Sequence, residues 1–238
     1  MRSILVTLAL TLGSLAFAAT PKDVNTLIEK GDTKGAVTLA LTLGSAEAYA
    51  YAARATSYGG ALVPDSEKRA IYEKAEDYAR KALELDKNSA LAHFELARAL
   101  GRKAQFVGIL ESLPIAPEVK RELETAIKLD PKMAGPYVAL AVWNAEIASK
   151  GVLVSGPLGA DFDNVRPNMQ KGIQLEPTEI IHRLEFAKAL LKDGNRRSKA
   201  RSRQEAIAVL EAAVKMEPTD FWAKRDLAEA KSLLASLR

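Results

Sequence analysis

From residue 21 onward apolar side chains return at the 3.6-residue period of helices that each bury one face. Val24, Leu27 and Ile28 mark a first helix over Pro21 to Lys30, stopped at Gly31. Lys34 to Leu43 follows, and Gly44-Ser45 opens Ala46 to Tyr58. Gly59-Gly60 and Pro64 break the pattern, after which Asp65 or Ser66 caps a long helix reaching Leu85. Its apolar face is Ala70, Ile71, Ala75, Tyr78, Ala79, Ala82, Leu83 and Leu85. The pattern predicts further helices from near Ser89 (with Leu91, Phe94, Leu96, Ala97 and Leu100), then over about Ala116 to Leu129 and Ala134 to Ser149. The last four span about Asp163 to Leu175, Thr178 to Lys192, Ser198 to Met216 and Asp220 to Leu237. No segment sustains period-two alternation. Val152-Leu153-Val154, set between Gly151 and Ser155-Gly156-Pro157, reads as loop, and the class is all-α.

One phrase recurs through this pattern: ALELDKN around Leu85, AIKLDPK around Leu129, GIQLEPT around Leu175 and AVKMEPT around Met216. Its turn positions Lys87, Pro131, Pro177 and Pro218 fall 44, 46 and 41 residues apart. A unit of this size cannot bury its apolar face alone, so stacking on its neighbour must supply the core. Small residues precede each phrase, namely Ala75 and Ala82, Ala126, Gly172, then Ala206 and Ala213. Each phrase is followed by a pair early in the next helix: Leu96-Ala97, Leu140-Ala141, Phe186-Ala187 and Leu227-Ala228. On these residues the chain resembles tetratricopeptide-repeat proteins, whose unit is 34 residues. The longer spacing, together with Gly159-Ala160-Asp161 before a second helix, is similar to bacterial members of the regulator-of-microtubule-dynamics family over Asn88 to Leu237. The resemblance implies a right-handed α-solenoid of about five helix hairpins with lengthened units and a C-terminal capping helix.

Composition changes this picture in two respects. There is no cysteine, which excludes disulfides, thiol catalysis and cysteine metal sites. Residues 1–18 have the pattern of a secretory signal: Arg2, an apolar run from Ile4 to Phe17, and Ala16-Phe17-Ala18 for cleavage. The expected mature chain is thus a single repeat domain over 19–238, placed in the periplasm or cell envelope. The net charge of +4 is too small to imply a nucleic-acid partner.

Candidate chemistry is sparse. His93 and His182 lie far apart and without metal spacing, so neither a catalytic residue, a metal site nor a cofactor is assigned. Ser155 is the only serine considered as a nucleophile, and no His or acid can be nominated beside it. Asp161 and Asp163 are read as helix caps. The hydrophobic insert 151–162 is expected to tuck Val152, Val154, Leu158 and Phe162 into the core, because exposing them is costly.

The resemblance places a concave, partner-binding groove on the first helices. Alignment by the phrase puts Phe94, Arg98 and Arg102 there, with Val138, Val142 and Glu146 from the next unit and Leu184, Lys188 and Lys192 from the third. Glu95, Ala139, Glu185 and Asp226 occupy the place where relatives that clamp a C-terminal carboxylate carry asparagine, so that specificity is not expected. The expected function is a non-catalytic scaffold that holds a protein or peptide in this groove. A second reading gives Arg196, Arg197, Lys199, Arg201 and Arg203 an anionic lipid or polyanion, with peripheral membrane contact. A third, an unrecognised hydrolase, rests on Ser155.

Overall fold

The structure, a computed structural model, describes residues 18–238, without the side chains of residues 109 and 110. The signal sequence expected at 1–18 lies, apart from Ala18, outside the described residues. Helices α1 (Pro21–Glu29), α2 (Thr33–Leu43), α3 (Ala46–Gly59) and α4 (Asp65–Leu85) form the first two hairpins. Then come α5 (Ala90–Lys103), a short α6 (Ile109–Ser112), α7 (Ile115–Leu129), α8 (Ala134–Ala148), a short α9 (Val152–Leu158) and α10 (Val165–Leu175). The chain closes with α11 (Ile180–Leu190), α12 (Lys199–Ala213) and α13 (Phe221–Leu237). The predicted long helices match these bounds to three residues or fewer, and no strand occurs among the described residues.

Helices α5 and α7, α8 and α10, and α11 and α12 pair as hairpins, and each first helix packs on that of the hairpin before it. The extra length of the units sits inside these hairpins, in the connections 104–114, 149–164 and 191–198. Helix α8 is enclosed from both sides: Trp143 and Ile147 belong to the core of the preceding hairpin, Val138 and Ala145 to that of the following one. A helix sandwiched in this way has to be apolar all round. Buried Trp143 donates its indole N–H to the Ala116 carbonyl at 2.9 Å, which removes its one polar cost.

The recurring phrase has a physical basis in the turn it makes. Asp86 and Asp130 each stop a helix by donating N–H to the alanine four residues back, Ala82 and Ala126. Their side chains then accept from the N–H of Asn88 and Lys132, both at 2.9 Å. This Asx geometry fixes the direction in which the next helix leaves. The small residues before each phrase are fully buried where helices cross. At Gly172 any Cβ would stand 2.4 Å from Val138 Cγ2, so only glycine lets α10 approach α8 this closely.

The insert departs from expectation. Val152 begins helix α9 instead of a loop, between Gly151 and Gly159, both in the left-handed region. Val154 and Leu158 pack against the core, as does Phe162. Val152, expected inside, stands 77% exposed, and its neighbour Leu153 stands 90% exposed. With Val154 and Leu158 turned inward, the opening turn of this helix has no neighbour left to cover it.

Candidate interaction surface

The first helices α1, α3, α5, α8, α11 and α13 stack side by side, and the residues assigned to the groove distribute unevenly over them. Phe94, Val138 and Leu184 are 5%, 7% and 0% exposed. Phe94 fills the space left by Gly135 on the next hairpin, and Val138 that left by Gly172 within its own, so the apolar trio expected to grip a partner is spent on packing inside the stack. Val142 is half-buried against the same core.

The charged members remain at the surface or near it. Arg102 is exposed. Lys192 Nζ lies 2.7 Å from Glu146 Oε1, and the two side chains are 38% and 37% exposed. Lys188 bridges Glu185 at 3.1 Å and Glu229 at 2.7 Å. Arg102 on α5, Glu146 on α8 and Lys192 in the turn just after α11 hold equivalent register positions, each eight residues after a buried apolar anchor.

Nearer the start of the stack the polar groups are buried and interlocked. Glu95 is fully buried; it accepts from Arg54 Nε at 2.8 Å and lies 3.2 Å from Arg98 Nη1. Arg54 also donates to Asn25 Oδ1 at 3.2 Å and lies over the Tyr51 ring. Arg98 is stacked over Phe94 and Tyr58, with its guanidinium carbon 4.5 and 5.2 Å from the ring centres. Burial works against the charged form of Arg54, yet the Glu95 carboxylate outweighs it and holds the guanidinium pKa above its ordinary value.

The two ends of the stack meet, which the sequence pattern does not reveal. Trp222, at the start of α13, donates its indole N–H to the Ile28 carbonyl of α1 at 2.7 Å. Its ring centre lies 4.7 Å from that of Tyr58 on α3. Phe221 presses on Gly31, whose φ of 82° and lack of Cβ make room for the ring. A cleft of about 440 Å³ at this junction is lined by Thr26, Glu29 and Lys30 on one side and Thr219, Asp220, Phe221 and Lys224 on the other. The one available signal was a large aromatic, Trp222, at the opening of the last predicted helix.

Packing in the stack shifts the ionisation of three groups at or near α11 and α13. Burial, reinforced by the Glu185 and Glu229 carboxylates and opposed by Lys188, pushes Asp226 up to about 7. Burial lowers His182 to about 4, against a backbone hydrogen bond at Glu176 and with help from Arg183 and Arg98. Burial also raises Glu179, and the nearby carboxylates of Glu176, Asp220 and Glu29 add to it.

Arg196, Arg197, Lys199, Arg201 and Arg203 are all exposed. Ser155 is buried, 9% exposed. Asp161 Oδ1 accepts from the Asp163 N–H at 2.9 Å, the capping role expected of it. His93 joins α5 to α7 through Glu122 Oε2 at 2.6 Å.

Repeated hairpins crossing at small residues, joined by the same turn, define a tetratricopeptide-type α-solenoid. The chain belongs to the regulator of microtubule dynamics protein 1-3 family, whose model matches residues 22–238. It is similar to regulator of microtubule dynamics protein 1 of Bos taurus, 26% identical over 121 residues, covering 48% of this chain and 38% of the bovine protein. The Mus musculus protein of the same name is equally similar, 26% identical over 121 residues, covering 48% of this chain and 40% of its own. The matched stretch is thus well under half of these relatives' length. Among solved structures, a thermophilic TPR protein of Thermus thermophilus superposes with a TM-score of 0.62 at 18% identity, covering 88% of this chain and 96% of that one. That likeness concerns the fold.

Proposed function

We propose that this protein is a non-catalytic scaffold of the cell envelope that holds a segment of a partner protein along its first-helix face. The observation that supports the reading best is the aligned row Arg102, Glu146 and Lys192 together with Lys188. The Lys192–Glu146 pair is more than a third exposed on both sides, and a pair of that kind contributes only about 0–1 kcal/mol. A partner's carboxylate or ammonium group exchanges with it at little cost. Recognition is therefore polar and set by register, with Val142 as the remaining apolar contact, because Phe94, Val138 and Leu184 are already covered. The microtubule role in the relatives' names is not carried over, since the match spans so small a part of them. The expected secretory signal is the basis for placing the protein in the envelope.

The test is a crosslinking pull-down from the envelope fraction, comparing wild type with the double variant Lys188→Glu, Lys192→Glu. One protein recovered reproducibly with the wild type, and reduced about tenfold or more with the variant, supports the reading. No reproducible partner, or equal recovery with both, overturns it.

A further inference from the structure

The basic turn is a dense run of cations without ion-pair partners among the described residues. Arg196, Arg197, Lys199, Arg201 and Arg203 are all exposed. Among the described residues none of the five has a carboxylate within ion-pair distance, and Arg203 donates only to the Leu237 carbonyl, at 2.6 Å. Three of them sit at the opening of α12, where their charge adds to the positive end of the helix dipole. Yet the turn is held firmly. Asp193, 4% exposed, accepts from Ser202 Oγ at 2.6 Å and from the Asn195 N–H at 2.9 Å. Ser202 in turn accepts from Arg166, which is paired with Glu205. The fold invests a buried carboxylate in presenting unpaired cations to solvent.

A second, independent feature adjoins it. A cleft of about 320 Å³ has Ser149, Gly151 and Phe162 on one wall and Lys192, Asp193, Gly194 and Asn195 on the other. The residues that follow Gly151 are Val152 and Leu153, the most exposed large apolar side chains among the described residues. The residue before it is Lys150, also exposed. One edge of the molecule therefore carries an apolar tip fixed by the half-buried Val154 and Leu158, flanked by cations.

We propose that this edge docks on an anionic phospholipid bilayer. Val152 and Leu153 enter the boundary between headgroups and acyl chains, while Lys150, Arg196, Arg197, Lys199 and Arg201 lie against the headgroup phosphates. Charge complementarity selects the occupant, and shape separates it from the alternatives. A protein partner needs a complementary pocket for two side chains that stand clear of the surface, whereas the acyl region accepts them without one. A nucleic acid gains nothing from them, and no aromatic side chain is interleaved with the cations for base stacking. The edge adjoins the first-helix row at Lys192, which lines the same cleft, but none of the docking residues belongs to that row, so docking does not depend on the scaffold reading.

Vesicle flotation with the 19–238 chain tests this, using phosphatidylcholine vesicles with and without phosphatidylglycerol. Binding is expected only to the mixed vesicles, and it should weaken as salt is raised. Arg196→Ser with Arg197→Ser should weaken it about thirtyfold, roughly fivefold for each cation removed. Val152→Ser with Leu153→Ser should weaken it comparably while circular dichroism stays unchanged, since both side chains are exposed. Equal binding to both vesicle types overturns the proposal. So does wild-type affinity in the Val152→Ser, Leu153→Ser variant, which reduces the turn to a general polyanion site. Loss of a captured protein in these variants, with vesicle binding intact, assigns the edge to a protein partner and also overturns it.

Discussion

Glu95 shows how much of the inner face is structural. Its carboxylate is wholly buried and is shared by Arg54 from the previous hairpin and Arg98 from its own helix. Removing it leaves Arg54 and Arg98 partly buried without a counter-charge. Glu95→Ala should therefore cost about 3–5 kcal/mol in urea unfolding, whereas an exposed control such as Glu84→Ala should cost almost nothing. Two further groups, the buried His182 and the partly buried Asp226, give opposite pH dependences. Asp226 keeps its proton up to about 7 in the folded chain but only to near 3.8 when unfolded, so its contribution to stability declines as pH rises from about 4 to 7. His182 takes a proton near 6.5 when unfolded but only at about 4 when folded, so its contribution declines as pH falls from about 6.5 to 4. Between pH 4 and 6.5 the two slopes oppose each other. Asp226→Asn should expose a midpoint that climbs with pH across that window, and His182→Leu one that falls; parallel profiles in the two variants would rule out this assignment.

At the scale of helices, the close approach of α10 to α8 is the sharpest constraint. Gly172→Ala drives a methyl group into Val138 and should cost about 1–3 kcal/mol in thermal or urea unfolding. Pairing it with Val138→Ala, which removes the clashing Cγ2, should cost less than the sum of the two single changes; strict additivity would contradict the packing described here. The long helices were legible because their apolar period runs over three turns or more, and the turns because Asp86 and Asp130 use the same local hydrogen bond twice. Helix α9 was not. Its seven residues include Gly156 and Pro157 and complete no apolar period, so nothing local separates it from a loop. Periodicity likewise identified Phe94, Val138 and Leu184 as apolar positions of first helices. Whether such a side chain meets a partner or another helix of the stack depends on glycines 41 and 34 residues away in two of these cases, at Gly135 and Gly172, and no local pattern records that. The charged row was easier to place, since Arg102, Glu146 and Lys192 keep a fixed distance from those anchors.

For the whole molecule the decisive contact is the one between its ends, formed by Trp222, Tyr58 and the Ile28 carbonyl across 194 residues of sequence. Ala228, by contrast, is exposed. Trp222→Ala removes the ring stack and the hydrogen bond together. It should cost about 3 kcal/mol and enlarge the radius of gyration in small-angle scattering, with α1 and α2 freed from α13. An unchanged radius would mean that α13 stays seated without its anchor. The scaffold reading stands or falls on whether a partner segment lies along the first-helix face. A photo-crosslinking side chain can be placed at Arg102, at Lys192 and, as a second-helix control, at Lys128, and irradiated in the cell envelope. One reproducible protein adduct from both first-helix positions and none from Lys128 is the expected result. No adduct from the first-helix positions, or the same adduct from all three, would refute the scaffold reading.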